Sequence, residues 1–329
     1  MKRVGNLMDE IIRFDTLCEA FLRASRGKRD KAAVKHFREH MDERLAEMSR
    51  RLADGSFPFS HYHFFTIYDP KMRTICAAPF EARVAFHAIV KVCDPVFERY
   101  QVYDSYACRR GKGTYKALER AQTFTRHYRW FAKLDVCKFF DSIDHEVLLA
   151  QLARLFKDNG LLSLLAQIVH SYSSSPGKGL PMGNLTSQYF ANHYLAMADH
   201  YAKEQLGVRG MVRYMDDILL FDDDKERLFG IIERYKRLLD SILRLKLHQS
   251  VVNKTHFGVP FLGYVVHPYK LRLNERSSAR IARRAAEFEC AWRDGCMAEE
   301  ECRMRMQCML AFADKADVRA LRSRLFVTG

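Results

Sequence analysis

Residues 211–221 read MVRYMDDILLF, an apolar run interrupted by two adjacent carboxylates, Asp216 and Asp217. The pattern predicts an antiparallel β-hairpin with buried strands on both sides and the Asp pair at its tight turn. Two anions held at the tip of a rigid hairpin form a suitable binding site for divalent cations. Asp-Asp is also a common turn dipeptide, so this segment alone leaves an ordinary surface turn open.

A third carboxylate follows a second strand-like segment. Residues 130–134 (WFAKL) predict a short strand, and Asp135 comes directly after it. If the two strands are neighbours, the three carboxylates complete a site for two Mg²⁺ ions about 4 Å apart. One ion would activate a 3′-hydroxyl, and the other would hold a triphosphate during in-line transfer. The simpler alternative is that Asp135 caps an element.

Five motifs then follow the order of a known family, and the chain resembles a reverse transcriptase from about Phe65 to Tyr264. The matching segments are Asp135 (first palm motif), residues 179–188 (GLPMGNLTSQ, middle motif), Tyr214 to Asp217 (Tyr-x-Asp-Asp box), Lys254-Thr255 (proton-donor motif) and residues 261–264 (FLGY, primer grip). The resemblance implies an α+β, right-hand polymerase fold with fingers, a palm built on an antiparallel sheet, and a short helical thumb.

The expected subdomains follow from this resemblance and from local patterns. They are an N-terminal helical extension (1–60), fingers (61–130), a palm (131–267, with part of the fingers inserted at about 145–175) and a thumb (268–329). Apolar spacing predicts one helix from about Asp30 to Ala53 and another over 225–245. Residues 61–79 predict a β-hairpin that turns at Asp69, Pro70 and Lys71.

The resemblance also implies the catalytic groups. Asp135, Asp216 and Asp217, with the backbone carbonyl of Val136, are expected to bind two Mg²⁺ ions, for which Mn²⁺ is an alternative. Lys254 corresponds to the general acid that protonates pyrophosphate, although an ordinary surface lysine would look the same in the sequence.

The nucleotide site is expected to include Lys71 and Arg73 at the triphosphate and Met182, Gly183 and Gln188 from the middle motif. Phe140 matches the steric gate that excludes a ribose 2′-hydroxyl. Phe139 and Phe140 are expected to point to opposite faces of a strand, so that one is the gate and the other lies in the core.

Met182 occupies the position of the Gln in retroviral enzymes, in the form typical of diversity-generating retroelements. A thioether cannot replace the hydrogen bonds of an amide, and apolar fit discriminates more weakly than hydrogen bonding. The substitution therefore predicts relaxed fidelity. By resemblance, errors should concentrate at template adenines.

The formal net charge of +14 and pI of about 9.4 favour a polyanionic partner. Residues 101–133 carry eight Lys/Arg and two acids, and the loop with Arg109, Arg110 and Lys112 is expected to bind phosphates. Gly263 and Tyr264 are expected to hold the primer. Arg280 and Arg284 belong to a basic helix face that would follow the duplex backbone. A solvated loop and a solvated helix face are the alternatives.

The resemblance to diversity-generating retroelements implies error-prone synthesis of cDNA from a template-repeat RNA, for diversification of a target gene. Expected partners are this RNA, the cDNA primer–template, deoxynucleoside triphosphates and a small basic accessory variability protein. The nine cysteines contain no C-x-x-C pair and are expected to be reduced thiols. With no apolar run near the ~20 residues of a membrane span, a cytoplasmic protein is expected. The resemblance implies a bacterial, archaeal or phage origin.

Two other readings remain open. A retron-type or group II intron-type reverse transcriptase would share the palm chemistry. A retron enzyme should lie beside a structured RNA gene, and an intron enzyme should carry a further C-terminal region. A nonpolymerising RNA-binding scaffold could keep the same fold, but three clustered carboxylates in a basic groove would oppose RNA binding unless cations neutralised them.

Overall fold

The computed structural model describes residues 2–68, 72–313 and 315–317. Its α-helices are Met8–Ile12 (α1), Phe14–Ser25 (α2), Ala32–Glu39 (α3), Met41–Ala53 (α4), Phe80–Tyr100 (α5), Thr114–His127 (α6), Phe139–Ser142 (α7), His145–Leu155 (α8), Asn159–His170 (α9), Leu185–His200 (α10), Lys225–Ser241 (α11), Glu275–Arg293 (α12) and Glu299–Ala313 (α13). A π-helical turn, Tyr201–Gln205, continues α10, and a 3₁₀ turn spans Thr255–Phe257. Among the residues described, none of the helices has the length and apolar character needed to span a membrane.

The β-strands are His63–Ile67 (β1), Arg73–Ala77 (β2), Trp130–Asp135 (β3), Gly210–Tyr214 (β4), Asp217–Asp222 (β5), Val251–Lys254 (β6), Val259–Phe261 (β7), Tyr264–Val266 (β8) and Leu271–Leu273 (β9). They form the antiparallel β1–β2 hairpin, a four-stranded sheet in the order β4-β5-β3-β6, and a small sheet in the order β7-β8-β9. The four-stranded sheet is called the central sheet below.

The N-terminal helices pack on α5, and here the sequence-based helix prediction is wrong in one respect. The helix predicted from about Asp30 to Ala53 is divided into α3 and α4, because His40 leaves helical geometry with φ −122° and ψ 35°. Each helix has its own buried apolar residues, Val34 and Phe37 in α3 and Leu45, Met48 and Leu52 in α4. Phe37 of α3 stacks on Phe21 of α2, with ring centroids 5.2 Å apart.

The central sheet separates two hydrophobic clusters, because alternate strand residues point to opposite faces. One face, with Leu134 and Ile218, packs in the large cluster that includes α10 and α11. The other face, with Phe131 and Leu219, packs in a smaller cluster that includes α6, β7 and β8. Continuing the alternation along β3 and β5 places Asp135 and Asp217 on this second face, just beyond its packed part.

Candidate active site

The β4–β5 hairpin carries the two adjacent carboxylates, as the sequence predicts. Tyr214 pairs with Asp217, so Met215 and Asp216 form a two-residue turn, and Asp217 is the first residue of β5. Met215 has φ 56°. A two-residue hairpin turn requires this left-handed backbone, which is costly for a residue other than glycine. The turn therefore depends on the surrounding structure to hold it in place.

Asp135 lies beside this turn. The antiparallel register of β3 and β5 makes Asp135 the direct cross-strand partner of Asp217. Directly opposed residues have Cβ atoms about 4.5–5.5 Å apart on the same face of a sheet. Three carboxylates from two segments far apart in sequence thus meet at one end of the central sheet.

The pKa values of Asp216 and Asp217 show that the three carboxylates interact electrostatically. Burial raises the pKa of Asp217 to about 6, and the charges of Asp135 and Asp216 act in the same direction. Burial also raises the pKa of Asp216, again with a contribution from Asp135. Like charges in a partly desolvated site disfavour one another's ionised forms. A bound cation would remove this penalty.

Asp217 has one oxygen engaged and one unsatisfied. Its Oδ2 lies 3.3 Å from Nζ of Lys133, which also donates to the carbonyl of Pro260. Its Oδ1 is buried and has no hydrogen-bond partner among the described residues. An orphaned carboxylate oxygen beside two further carboxylates fits the oxygen ligands that Mg²⁺ prefers.

The carboxylate oxygens of Asp135, Asp216 and Asp217 do not all lie within 4.8 Å of one another. In the described part of the chain, the group with ligand atoms all within 4.8 Å is His36, Glu39 and His40, on the surface. There the guanidinium of Arg44 lies 2.7 Å from Nε2 of His36, so a cationic side chain already occupies that corner. We therefore assign no metal to the histidine group.

The middle motif lies between the β1–β2 hairpin and α7. The amide of Cys76 in β2 donates to the carbonyl of Met182 (2.8 Å), and the amide of Leu180 donates to the carbonyl of Phe140 (2.8 Å). Gly183 has φ 116°, and a Cβ there would come within 2.9 Å of the Ile75 side chain. This close approach requires glycine at position 183.

Arg73, at the start of β2, is exposed, and its charge acts to lower the pKa of Asp216, against the dominant effect of burial. It is therefore within electrostatic reach of the carboxylate cluster, and its role at the triphosphate stays a prediction. The hairpin predicted over 61–79 is present, but its turn and Lys71 fall outside the described residues.

Phe139 and Phe140 do not lie on a strand, so the prediction that they point to opposite strand faces is wrong. They begin the short helix α7, which follows Lys138 in left-handed geometry with φ 44°. Phe139 is buried, whereas Phe140 is partly exposed, with ring centroids 5.7 Å apart. The helical turn therefore places the Phe139 ring in the core and leaves the Phe140 ring partly exposed, the arrangement that was expected from a strand. The gate role of Phe140 stays a prediction.

The loop predicted to bind phosphates, which contains Arg109, Arg110 and Lys112, is held in place by hydrogen bonds and ion pairs of its own side chains. The Arg109 side chain is only 7% exposed and pairs with Glu98 through two nitrogens, at 2.7 and 2.9 Å. It also donates to the carbonyls of Val102 and Ser105. The guanidinium is therefore engaged within the protein, and a phosphate-binding role for Arg109 stays a prediction.

The other predicted binding residues near this loop, Arg110, Lys112 and Gln188, have fewer contacts within the protein than Arg109. Arg110 is 72% exposed and pairs with Asp94 at 3.0 Å. The ammonium of Lys112 lies 3.4 Å from the centre of the Tyr103 ring and donates to that residue's carbonyl. Gln188, in the first part of α10, accepts a hydrogen bond from the Cys108 thiol (3.5 Å), so its side chain faces this loop.

Lys254, the predicted proton donor, lies at the opposite end of β3 from Asp135. It pairs with Trp130, the first residue of β3, whereas Asp135 is the last. At about 3.3 Å per residue the two positions are roughly 17 Å apart along the strand. The residue beside Asp135 is His248, whose amide donates to the Asp135 carbonyl at 2.9 Å. The same neighbouring segment bridges Val136 to Leu247.

The predicted primer grip is packed against the C-terminal helices. Tyr264 is fully buried, and its hydroxyl donates to the carbonyl of Phe312 in α13. A Cβ on Gly263 would come within 2.9 Å of Ser277 Oγ in α12. The Tyr264 side chain therefore joins β8 to the helices, and its role in holding a primer stays a prediction.

The basic face of α12 is partly occupied by the next helix. Arg280 lies over the Phe312 ring of α13, 5.9 Å from its centre. Arg284 is exposed, and both residues line an apolar-floored groove of about 460 Å³ between α12 and α13. A role in duplex binding stays a prediction for both arginines.

Sequence reasoning missed a buried network behind the hairpin. The guanidinium of Arg213 in β4 is fully buried and pairs with Asp199 of α10 at 2.6 Å. It also donates to the carbonyl of Met215 in the turn (3.1 Å). The available signal was the arginine itself, because a charge inside an apolar strand requires a buried partner.

The chain belongs to the reverse transcriptase (RNA-dependent DNA polymerase) family, whose model matches residues 68–266. Among curated proteins, it is similar to the putative COX1/OXI3 intron 1 protein of Saccharomyces cerevisiae, with 22% identity over 173 residues, 50% of this chain and 21% of that protein. It is also similar to protein YkfC of Escherichia coli, with 21% identity over 239 residues, 59% of this chain and 63% of that protein. The aligned part thus spans less than two thirds of either relative.

Solved structures show the same fold. Telomerase from Candida tropicalis superimposes with a TM-score of 0.51 and 12% identity in its apo form truncated from the C-terminal domain, covering 66% of this chain and 55% of that one. The complex of this telomerase with a TWJ fragment of telomeric RNA gives the same score at 10% identity, covering 83% and 55%. At such identities the likeness concerns the fold alone. The predicted α+β, right-hand polymerase fold is confirmed, whereas the subdomain boundaries stay predictions.

Proposed function

We propose that this chain copies an RNA template into DNA from deoxynucleoside triphosphates. The observation that carries the proposal is the register that sets Asp135 opposite Asp217, next to Asp216 in the turn. Three carboxylates at one end of an antiparallel sheet, in a member of this family, are suited to hold the two Mg²⁺ ions of nucleotidyl transfer, with Mn²⁺ as a substitute.

The residues around the cluster have separable tasks in this proposal. Asp135, Asp216 and Asp217 would hold the ions, with the carbonyl of Val136 as a further ligand. Once bound, the ions would neutralise the charge that develops on the transferred phosphoryl group. Lys133 holds Oδ2 of Asp217 and leaves its Oδ1 free to bind a cation. Arg73 would bind the triphosphate.

Primer extension on an RNA template tests the proposal. Wild-type protein with Mg²⁺ should incorporate deoxynucleotides, and Asp216→Asn should reduce the rate by more than a hundredfold. Loss of an outer-shell partner alone costs about 10–100-fold, and a direct ligand should matter more. Asp240→Asn, on the exposed side of α11, is the matched control and should keep full activity. A folded wild-type protein that extends no primer, or an active Asp216→Asn variant, would contradict the proposal.

We further propose that the enzyme is of the diversity-generating type, working on a template-repeat RNA with a small basic accessory protein. The support is the segment 179–188 with Met182, whose carbonyl is bonded to the β1–β2 hairpin next to the nucleotide site. Sequencing of the cDNA products should reveal substitutions concentrated at template adenines. An even, low error spectrum would contradict this assignment.

An intron-type reverse transcriptase is the second candidate. The observation that favours it is that similar yeast proteins are named as intron proteins. Such an enzyme should copy its own intron RNA in preference to a template-repeat RNA, with no excess of errors at adenines. Competition between the two RNA classes in the extension assay distinguishes the candidates.

A further inference from the structure

We propose that Arg213 is a positioning residue that fixes the turn carrying Asp216 relative to α10. The inference rests on the proposed polymerase function and adds residues that the sequence motifs do not identify. Its basis is a buried hydrogen-bond network of one guanidinium with two elements, the β4–β5 turn and α10.

The strongest part of the network is a two-point ion pair. Nε of Arg213 lies 2.8 Å from both carboxylate oxygens of Asp199, and Nη2 lies 2.6 Å from its Oδ2. Both side chains are fully buried, at 0% exposure. A guanidinium forks onto a carboxylate in a defined plane, so the pair fixes orientation as well as distance.

The remaining donors of Arg213 reach the turn and a second residue of α10. Nη1 donates to the Met215 carbonyl (3.1 Å) and to Oδ1 of Asn192 (2.7 Å). Nη2 also donates to the Asn192 carbonyl (3.2 Å) and to Oε1 of Gln101 (3.3 Å). The five N–H groups of a guanidinium are all used in this way.

The main chain of Arg213 is held as firmly as its side chain. Its amide donates to the Asp104 carbonyl, and its carbonyl accepts from the amide of Tyr106, both at 2.9 Å. Residues 104–106 therefore cover the outer edge of β4. A shift of Arg213 would break its backbone hydrogen bonds to residues 104–106 and its side-chain bonds to α10. Arg213 is therefore rigidly positioned and can hold the turn in place.

Two consequences follow for the active site. The left-handed Met215 would relax more easily without the bond to its carbonyl, and Asp216 would move with it. In addition, α10 begins at Leu185, inside the middle motif, so Arg213 joins the carboxylate turn to the helix that follows the nucleotide-side segment. The network thereby sets the distance between the cation ligands and the nucleotide pocket.

Stability alone does not account for this arrangement. A buried ion pair can often be replaced by apolar side chains of similar size without loss of stability, whereas removal of one partner is strongly destabilising. This difference separates a positioning role from a merely structural one. Replacement of both charges should restore the fold but not the geometry of the turn.

The test compares Arg213→Met, the double variant Arg213→Met/Asp199→Leu, and Arg213→Lys. The single Met variant should have a strongly lowered Tm because Asp199 loses its partner. The double variant should recover most of the Tm, yet its affinity for Mn²⁺ alone, followed by electron paramagnetic resonance, should fall about 10–100-fold, as for loss of an outer-shell partner. Its kcat in primer extension should fall at least tenfold.

Arg213→Lys keeps the charge but cannot bond Asp199 and the Met215 carbonyl in one plane. Its Tm should lie between those of the wild type and the single Met variant, because the charge of Asp199 keeps a partner while other buried acceptors lose theirs, and its Mn²⁺ affinity should fall several-fold. This variant carries the test if the double variant does not fold. The control is Arg44→Met/Glu81→Leu, an ion pair between α4 and α5 that contacts neither the hairpin nor α10. Mn²⁺ affinity and kcat should be unchanged there.

Wild-type Mn²⁺ affinity in a well-folded double variant or in Arg213→Lys would overturn the inference. Because Mn²⁺ binding needs no catalysis, this outcome differs from failure of the proposed function, in which the wild type binds Mn²⁺ but makes no DNA.

Discussion

Replacement of Asp217 by asparagine should stabilise the protein in the absence of divalent cations. Asparagine has nearly the same shape but carries no charge. In the wild type, burial raises the pKa of Asp217 from 3.8 to about 6. The folded state therefore holds a proton more tightly than the unfolded state, and ionisation of Asp217 destabilises the fold.

The magnitude follows from this shift. About two pH units at 1.36 kcal/mol each give a penalty of about 3 kcal/mol, fully present above the folded pKa of about 6. The penalty decreases as the pH falls through 6 towards 3.8 and is about half as large at pH 5. Lys133 loses an ion-pair partner in the variant but still donates to the Pro260 carbonyl. We therefore expect a net gain of about 1–3 kcal/mol at pH 8.

Urea denaturation in the presence of EDTA measures the effect at pH 8 and pH 5. The Asp217→Asn gain should be clearly larger at pH 8, and Asp240→Asn should change neither value. Addition of Mg²⁺ should stabilise the wild type but not the Asp217→Asn variant. A variant that is less stable than the wild type at pH 8, or a gain that is equal at both pH values, would refute the assignment of a buried, repelled carboxylate.

Further substitutions test individual positions. Lys254→Ala should leave the extension rate within about twofold of the wild type, because the side chain is at the far end of β3 from Asp135; a loss of tenfold or more would reinstate it as proton donor. Phe140→Ala should admit ribonucleotides, measured as the ratio of kcat/KM for dNTP and NTP, and an unchanged ratio would exclude the gate role. Met182→Gln should lower misincorporation at template adenines, so equal error spectra by cDNA sequencing would reject a role for Met182 in fidelity.

The sequence was most informative where a charged residue stands next to apolar neighbours in the chain. Carboxylates that interrupt or end apolar runs identified β3, the β4–β5 hairpin and the candidate site. Local patterns cannot give the register, and it is the register that puts Asp135 opposite Asp217. The family resemblance implied that the three aspartates share one site, whereas alternation of side chains alone would only have placed each aspartate on one face of its own strand.

The surroundings of three predicted site residues could not be predicted, because their partners are distant in sequence. Arg109 belongs to a basic run, but Glu98 at the end of α5 folds back to neutralise it. Lys254 lies within the predicted palm segment. However, β6 runs antiparallel to β3, which places Lys254 beside Trp130, at the opposite end of β3 from Asp135. Tyr264 is covered by α13, about fifty residues later in the chain. None of these partners is readable from the local sequence.

The pairing of residues 104–106 with β4 also affects how the molecule behaves in solution. An uncovered edge strand offers free N–H and C=O groups that can recruit a strand from another molecule. The apolar β4 would be such a template at the rim of the central sheet. Because Asp104 and Tyr106 occupy the amide and carbonyl of Arg213, these two edge groups next to the carboxylate turn cannot pair with a strand from another molecule. The loop thus covers the part of the β4 edge that lies beside the carboxylate turn.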